Sequence, residues 1–216
     1  MSKKYEIFLF DLDGTITDSA LGITNSVMYA LKKFGIEETD RTKLYKFISP
    51  PLTESFEKFY GFTKEQSLDG VKYYREYYHD KGIYENRVYD GLEEVLKKIN
   101  EAGKQAIVAT SKPEKYAKII IDHFHLTKYF ACVAGMEMDG GRGTKAQVIT
   151  YALEKNDIAD KSKVLMIGDR EHDVIGAHEN GLDCLGILYG FGSRKEFEEA
   201  GADYIRENVE DILQFV

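Results

Sequence analysis

The chain has 216 residues, 43% hydrophobic and 31% charged, with 19 glycines, 3 prolines and 2 cysteines. Collagen-like and disordered chains carry far more glycine and proline or far fewer apolar residues, so both classes are excluded. The 29 basic and 37 acidic residues leave a formal net charge of −8, which argues against non-specific binding to nucleic acid or to an anionic membrane.

The length suits one large domain or a core with an inserted module. Met1-Ser2-Lys3-Lys4-Tyr5-Glu6 leads into only a short apolar run, which does not read as a signal peptide. No run approaches the ~18–20 apolar residues of a membrane span. Cys132 and Cys184 are too few for a disulfide framework and are expected as buried thiols of a cytoplasmic, soluble protein.

Ile7-Phe8-Leu9-Phe10 is a continuous apolar run ending at Asp11-Leu12-Asp13-Gly14. Such runs suit strands buried on both faces, as in parallel sheets. Residues 17–85 lack them. Ile23, Val27, Ala30, Leu31 and Phe34 form one helical stripe, and Leu44, Phe47 and Ile48 a second. Leu52, Phe56, Phe59 and Tyr60 form a third after Pro50-Pro51, and Tyr73, Tyr74, Tyr77 and Tyr78 a fourth, read as packing. From about residue 86 strand and helix alternate. Leu92, Val95, Leu96 and Ile99 precede the run Gln105–Ala109, which leads into Thr110-Ser111-Lys112-Pro113. Tyr116, Ile119, Ile120, His123 and Phe124 precede the weaker run Ala131–Ala134. Ile149, Ala152 and Leu153 precede Val164–Ile167, which ends at Gly168-Asp169, and Cys184–Leu188 follows. The pattern predicts an α/β fold: a Rossmann-like parallel sheet core made of residues 1–16 and 86–216, with an all-helical module of about four helices at 17–85.

In open α/β sheets, ligands bind beyond the carboxyl ends of the strands. Asp11 and Asp13, Thr110 and Ser111, and Asp169 with Asp173 all follow expected strands, and Lys145 opens a helix after Gly140-Gly141-Arg142-Gly143. Singly, each has an ordinary reading. Asp11 and Asp13 suit an Asx turn, Thr110-Ser111 a helix N-cap, Asp169 and Asp173 the cap of a helix carrying Val174 and Ala177, and Lys145 a solvated surface. Together they would gather carboxylates, a hydroxyl and an ammonium in one crevice. That set suits Mg²⁺ and a phosphoryl group. An EF-hand fails because position twelve is Gly22. The Gly-rich loop misses phosphate-loop spacing, and Gly190-Phe191-Gly192 lacks the third glycine of a dinucleotide site. His123, His125 and Cys132 make a poor zinc set because His123 lies on an apolar stripe.

Asp11-Leu12-Asp13-Gly14-Thr15, Thr110, Lys145 and Gly168-Asp169-Arg170-Glu171-His172-Asp173 resemble, in order, the four motifs of the haloacid dehalogenase superfamily. The helical insertion resembles that family's C1-type cap. Thr-Ile-Thr-Asp-Ser, Ile-Ser-Pro-Pro-Leu, Ala-Thr-Ser-Lys-Pro and Gly-Asp-Arg-Glu-His-Asp-Val resemble its phosphoglycolate-phosphatase-like branch and are similar to the bacterial 5′-nucleotidase-like members. Relatives often carry Gly before the double proline, where this chain has Ser49.

The resemblance implies a Mg²⁺-dependent phosphomonoesterase acting on a small soluble ester, with Asp11 as the nucleophile that forms an aspartyl-phosphate. Asp13 would be the general acid and base, its backbone carbonyl a metal ligand. Leu12, Thr110, Ser111 and Lys145 would hold the phosphoryl oxygens. Asp169 would ligate the metal, and Asp173 would do so directly or through water. Ser49 and Pro50 are expected to read the leaving part. A nucleoside monophosphate is the first substrate expected and phosphoglycolate the second; a sugar phosphomutase and a phospho-accepting signalling domain are the rivals. A monomer with no nucleic-acid or membrane partner is expected.

Overall fold

The computed structural model describes residues 4–138 and 141–216. Its main elements are β1 (Ile7–Phe10), β2 (Thr17–Asp18), α1 (Ala20–Lys33), a 3-10 helix at Arg41–Phe47, α2 (Leu52–Tyr60), α3 (Lys64–Tyr77), a π-helical turn at Tyr78–Gly82 and β3 (Arg87–Val88). They continue with α4 (Leu92–Glu101), β4 (Gln105–Pro113), α5 (Glu114–His123), β5 (Phe130–Met136), α6 (Lys145–Lys155) and β6 (Val164–Gly168). The last are α7 (Glu171–Glu179), β7 (Asp183–Ile187), α8 (Arg194–Ala200), β8 (Tyr204–Arg206) and a closing 3-10 turn at Val209–Phe215. By its contacts the chain divides into two compact units, Met1–Thr17 with Val88–Val216, and Asp18–Arg87. No helix among the described residues is long and apolar enough to cross a membrane.

The first unit carries a parallel sheet in the order β5-β4-β1-β6-β7-β8. Chain order reverses at β1, which places a crevice at the carboxyl ends of β4, β1 and β6. Ile7–Phe10 pairs with Gln105–Val108 on one side and Val164–Ile167 on the other. Asp11, Ala109 and Gly168 therefore lie at one level. Phe8, Leu9 and Phe10 are fully buried, as are the apolar residues of β6, which is why both strands read as unbroken apolar runs. The edge strand β8 escapes that signal. Its three residues, Tyr204, Ile205 and Arg206, are only half-buried.

The helices bury one stripe each. α4 buries Leu92, Val95, Leu96 and Ile99, as its spacing predicts. α5 departs from expectation: it buries Tyr116, Ala117, Ile120 and Ile121, while His123 is exposed. The i, i+4 pairs Tyr116/Ile120 and Ala117/Ile121 define the apolar face, and His123 falls outside it. Cys132 and Cys184 are buried thiols.

The helical unit is built on aromatic packing. Phe47 lies 5.2 Å from Phe56, 5.5 Å from Phe59 and 5.9 Å from Tyr60, ring centre to ring centre. Tyr74 stacks on Tyr78 at 5.3 Å, and Tyr77 packs on Tyr29 at 5.6 Å. The stripe at Leu44–Ile48 forms the end of the 3-10 helix rather than an α-helix. Beyond it, Ser49 has φ +85° and a buried hydroxyl with no hydrogen-bond partner among the described residues. Left-handed backbone favours glycine, because a Cβ crowds the following carbonyl there. A branched Cβ worsens the crowding. Ser49→Val should lower stability by about 1–3 kcal/mol and Ser49→Gly should not lower it, as read from urea denaturation midpoints.

Candidate active site

The turn after β1 is closed by its own backbone. The Leu12 carbonyl accepts from the N–H groups of Thr15, Ile16 and Thr17 at 3.3, 2.9 and 2.9 Å, and Gly14 N–H donates to the Thr17 carbonyl at 2.7 Å. Asp11 N–H extends the ladder to β6 by donating to the Ile167 carbonyl at 2.9 Å. Asp11 and Asp13 are both buried at this strand end. Gly14 has φ +85°, and a Cβ on it would overlap the Asp169 carboxylate. The turn therefore needs glycine for conformation and for space.

Lys145 is the first residue of α6. Its helix is fixed by a reciprocal cap: Gln147 N–H donates to Thr144 Oγ1 at 3.2 Å, and Thr144 N–H donates to Gln147 Oε1 at 3.1 Å. An ammonium in a first helical turn is opposed by the helix dipole. Here Lys145 Nζ lies 2.8 Å from Asp11 Oδ1 and 2.7 Å from Asp173 Oδ1, and donates to the Ala109 carbonyl at 3.0 Å. Burial pushes the lysine's pKa down, but the charges of Asp11 and Asp173 outweigh it and hold the group above its ordinary value.

Asp11, Asp169 and Asp173 each offer an oxygen within 4.8 Å of the others', and all three are buried. Asp169 Oδ2 accepts from Phe191 N–H at 2.8 Å, while its Oδ1 is buried with no hydrogen-bond partner among the described residues. Burial, with the charges of Asp11 and Asp173, raises the Asp169 pKa well above the carboxylate range. Burial raises Asp173 to about 6, opposed by Lys145. Asp173 is also a helix cap, accepting from Arg170 N–H at 3.1 Å. Orphaned oxygen on mutually repelling carboxylates fits a hard divalent cation.

β4 supplies a residue outside the expected site. Its register with β5 runs Thr110↔Gly135 and then Pro113↔Met136, three steps on one strand against one on the other. This bulge carries Lys112, whose Nζ meets Asp13 Oδ2 at 2.6 Å. Lys112 N–H donates to Thr110 Oγ1 at 3.1 Å. Bulges re-aim side chains in this way, and the run Gln105–Ala109 carries no sign of it.

Of the expected residues, the structure gathers Asp11, Lys145, Asp169 and Asp173 by direct approach, and places Asp13 and Thr110 on either side of Lys112. The Asp13 side chain stands outside the three-carboxylate cluster. Leu12 is buried and Ser111 half-buried beside them. Ser49 and Pro50 belong to the helical unit. His172 is exposed on α7. Gly140 lies outside the described residues.

Two further residues support Lys145. Asn180 Nδ2 donates to the carbonyls of Ala146 and Gly176 at 3.0 and 2.9 Å, tying α6 to α7. A Cβ on Gly176 would lie 2.7 Å from Lys145 Cγ, so the lysine stem passes where a side chain would be. A lone helical glycine at α7 was the only sequence signal for this contact.

Strand ends bearing paired aspartates and a hydroxyl, with a carboxylate-paired lysine opening a helix beside them, suit a phosphate-processing hydrolase of α/β type. Residues 8–187 match the haloacid dehalogenase-like hydrolases, and the chain belongs to that family as one of its phosphatases. It is 45% identical to a 5′-nucleotidase of Pseudomonas aeruginosa, over 89% of this chain and 87% of the relative. It is 35% identical to tyrosine-protein kinase PtkA of Mycobacterium tuberculosis, over 87% of this chain but 63% of the relative. The crystal structure of a predicted phosphatase from Clostridium acetobutylicum superposes with a TM-score of 0.93 at 47% identity, covering 98% of both chains.

Gly176→Ala should displace Lys145 and lower phosphatase kcat on the order of 10²-fold, with the circular dichroism spectrum unchanged. Retention of full kcat would show that the lysine accommodates the methyl group.

Proposed function

We propose that the protein hydrolyses a small phosphate monoester, with a nucleoside 5′-monophosphate as the preferred substrate. The observation that carries the reading is the Lys145–Asp11 pair at 2.8 Å within the three-carboxylate cluster at the strand ends. The likeness to a 5′-nucleotidase supports the substrate class.

In this reading an Asp11 oxygen attacks phosphorus, the bond to the ester oxygen breaks, and Asp13 gives its proton to the leaving oxygen. Asp13 then takes a proton from water as that water attacks the phosphorus of the aspartyl-phosphate, releasing inorganic phosphate and free Asp11. Thr110, Ser111 and the backbone at Leu12 hold phosphoryl oxygens, and Lys145 neutralises them. The Asp11 and Asp169 carboxylates and the Asp13 backbone carbonyl would hold Mg²⁺. Asp173, already engaged with Lys145 and Arg170 N–H, would support it through water. Bound there, the ion would screen the repulsion between a carboxylate nucleophile and a phosphate dianion. Ser49 and Pro50 are proposed to discriminate between leaving parts.

Phosphate release should be measured with Mg²⁺ over nucleoside monophosphates, phosphoglycolate, sugar phosphates and pyrophosphate. The highest kcat/KM is expected for a nucleoside 5′-monophosphate; a different leader would overturn the substrate. Asp11→Asn should remove nearly all activity and leave the protein folded, and turnover near the parent rate would remove the covalent route. The metal has a readout besides activity. In chelator Asp169→Asn should raise Tm, because one of three repelling charges is gone, and the Tm increase that Mg²⁺ gives the parent should vanish in the variant. An unchanged Mg²⁺ response would place the metal elsewhere.

A further inference from the structure

We propose that Lys112 is a positioning residue for Asp13: it holds one carboxylate oxygen so that the other is presented to the leaving oxygen of the ester. The proposal rests on the reading of Asp13 as general acid and base given above, and deepens it.

Four observations converge. The Lys112–Asp13 pair is buried, with the two side chains 6% and 12% exposed. Lysine is almost never buried unless paired, so this one is held for its partner. The backbone bears on this placement: the register of β4 with β5 shifts between Thr110 and Pro113, and Lys112 lies inside that bulge. The Lys112 N–H also bonds Thr110 Oγ1, so one bulge fixes the phosphate-binding hydroxyl and the acid–base carboxylate together. Finally, the two oxygens of Asp13 differ. Oδ2 meets Lys112 at 2.6 Å, whereas Oδ1 is buried with no hydrogen-bond partner among the described residues. A carboxylate anchored by one oxygen keeps the second in a single orientation, which is the condition for efficient proton transfer. Lys112 thus stands to Asp13 as Lys145 stands to Asp11.

The test compares esters by leaving group. The parameter kcat/KM reports phosphoryl transfer to Asp11, the step in which the leaving oxygen takes its proton. An alkyl phosphate needs that proton; p-nitrophenyl phosphate, whose leaving group is stable as an anion, needs it little. Lys112→Met should lower kcat/KM for alkyl esters about 10²-fold and for p-nitrophenyl phosphate only a few-fold. Asp13→Asn should show the same contrast, and the double variant should be no worse than Asp13→Asn alone. Removing one partner of a buried pair strands the other charge, so Lys112→Gln, which keeps a donor, is made in parallel and should show the same contrast in weaker form. If the lysine variants lose equally on both esters while Asp13→Asn keeps the contrast, Lys112 has only a structural role and the proposal fails. If the double variant is multiplicatively worse, Lys112 acts on the substrate itself and the proposal also fails. If Asp13→Asn shows no contrast, the fault lies in the reading of Asp13, and the positioning role falls with it.

Discussion

Asp11, Asp169 and Asp173 are held out of water with ligand oxygens within 4.8 Å of one another, and much of the core is arranged around that repulsion. Buried like charges are costly unless each finds a partner. Lys145 meets two of them and gives its remaining direction to the Ala109 carbonyl. A backbone N–H at Phe191 holds one oxygen of Asp169, and a helix terminus at Arg170 holds one of Asp173. Glycines at 14, 190 and 192 let two segments of backbone close around Asp169 where any side chain would collide. What is left unneutralised is one buried oxygen of Asp169. The cluster, three carboxylates to one lysine, is short of positive charge, and that shortfall is what a cation would relieve.

Sheet topology makes this arrangement possible. β1 is flanked by β4 and β6 in matched register, so residues far apart in sequence come to one level, where the stems of Lys112 and Lys145 can span the remaining gap. The helices then set finer distances. α6 begins at Lys145, and Asn180 ties its first turn to α7, which carries Asp173. Lysine and aspartate thus sit on two helices fastened to each other, the first turn of α6 to the carboxyl end of α7.

The parts of this that were legible in the sequence share one physical cause. A strand buried on both faces has no polar positions, so Phe8–Phe10 and Val164–Ile167 announced themselves, and the residues just beyond them followed. The illegible parts have causes of their own. β8 is a half-buried edge strand, so nothing forces an apolar run. Lys112 follows a clear strand, but its direction depends on a bulge whose extra residues look like ordinary loop. Gly176 matters through what it lacks, and its neighbour Lys145 is distant in sequence. The apolar face of α5 was read one position off because Ile119, Ile120 and Ile121 are all hydrophobic and only the packed structure selects two of them. In the helical unit the aromatic stripes were legible as packing, while the left-handed backbone at Ser49 was not, because serine gives no sign of it.

The position of β1 in the chain has a bearing on how the protein is made. This strand is synthesised before either of its partners, which are encoded far downstream, at Gln105 and Val164. Between β1 and β4 the ribosome synthesises the whole helical unit, Asp18–Arg87, which is compact in itself. At translation rates of about 5–20 residues per second, the strand waits on the order of 5–20 s for β4 alone. During that interval Phe8, Leu9 and Phe10 have no sheet to join, and Asp11 beside them has neither lysine nor companion carboxylates. Chaperone capture of the nascent strand would act in this window, and the cluster comes into being only once the third strand of the central trio has been translated.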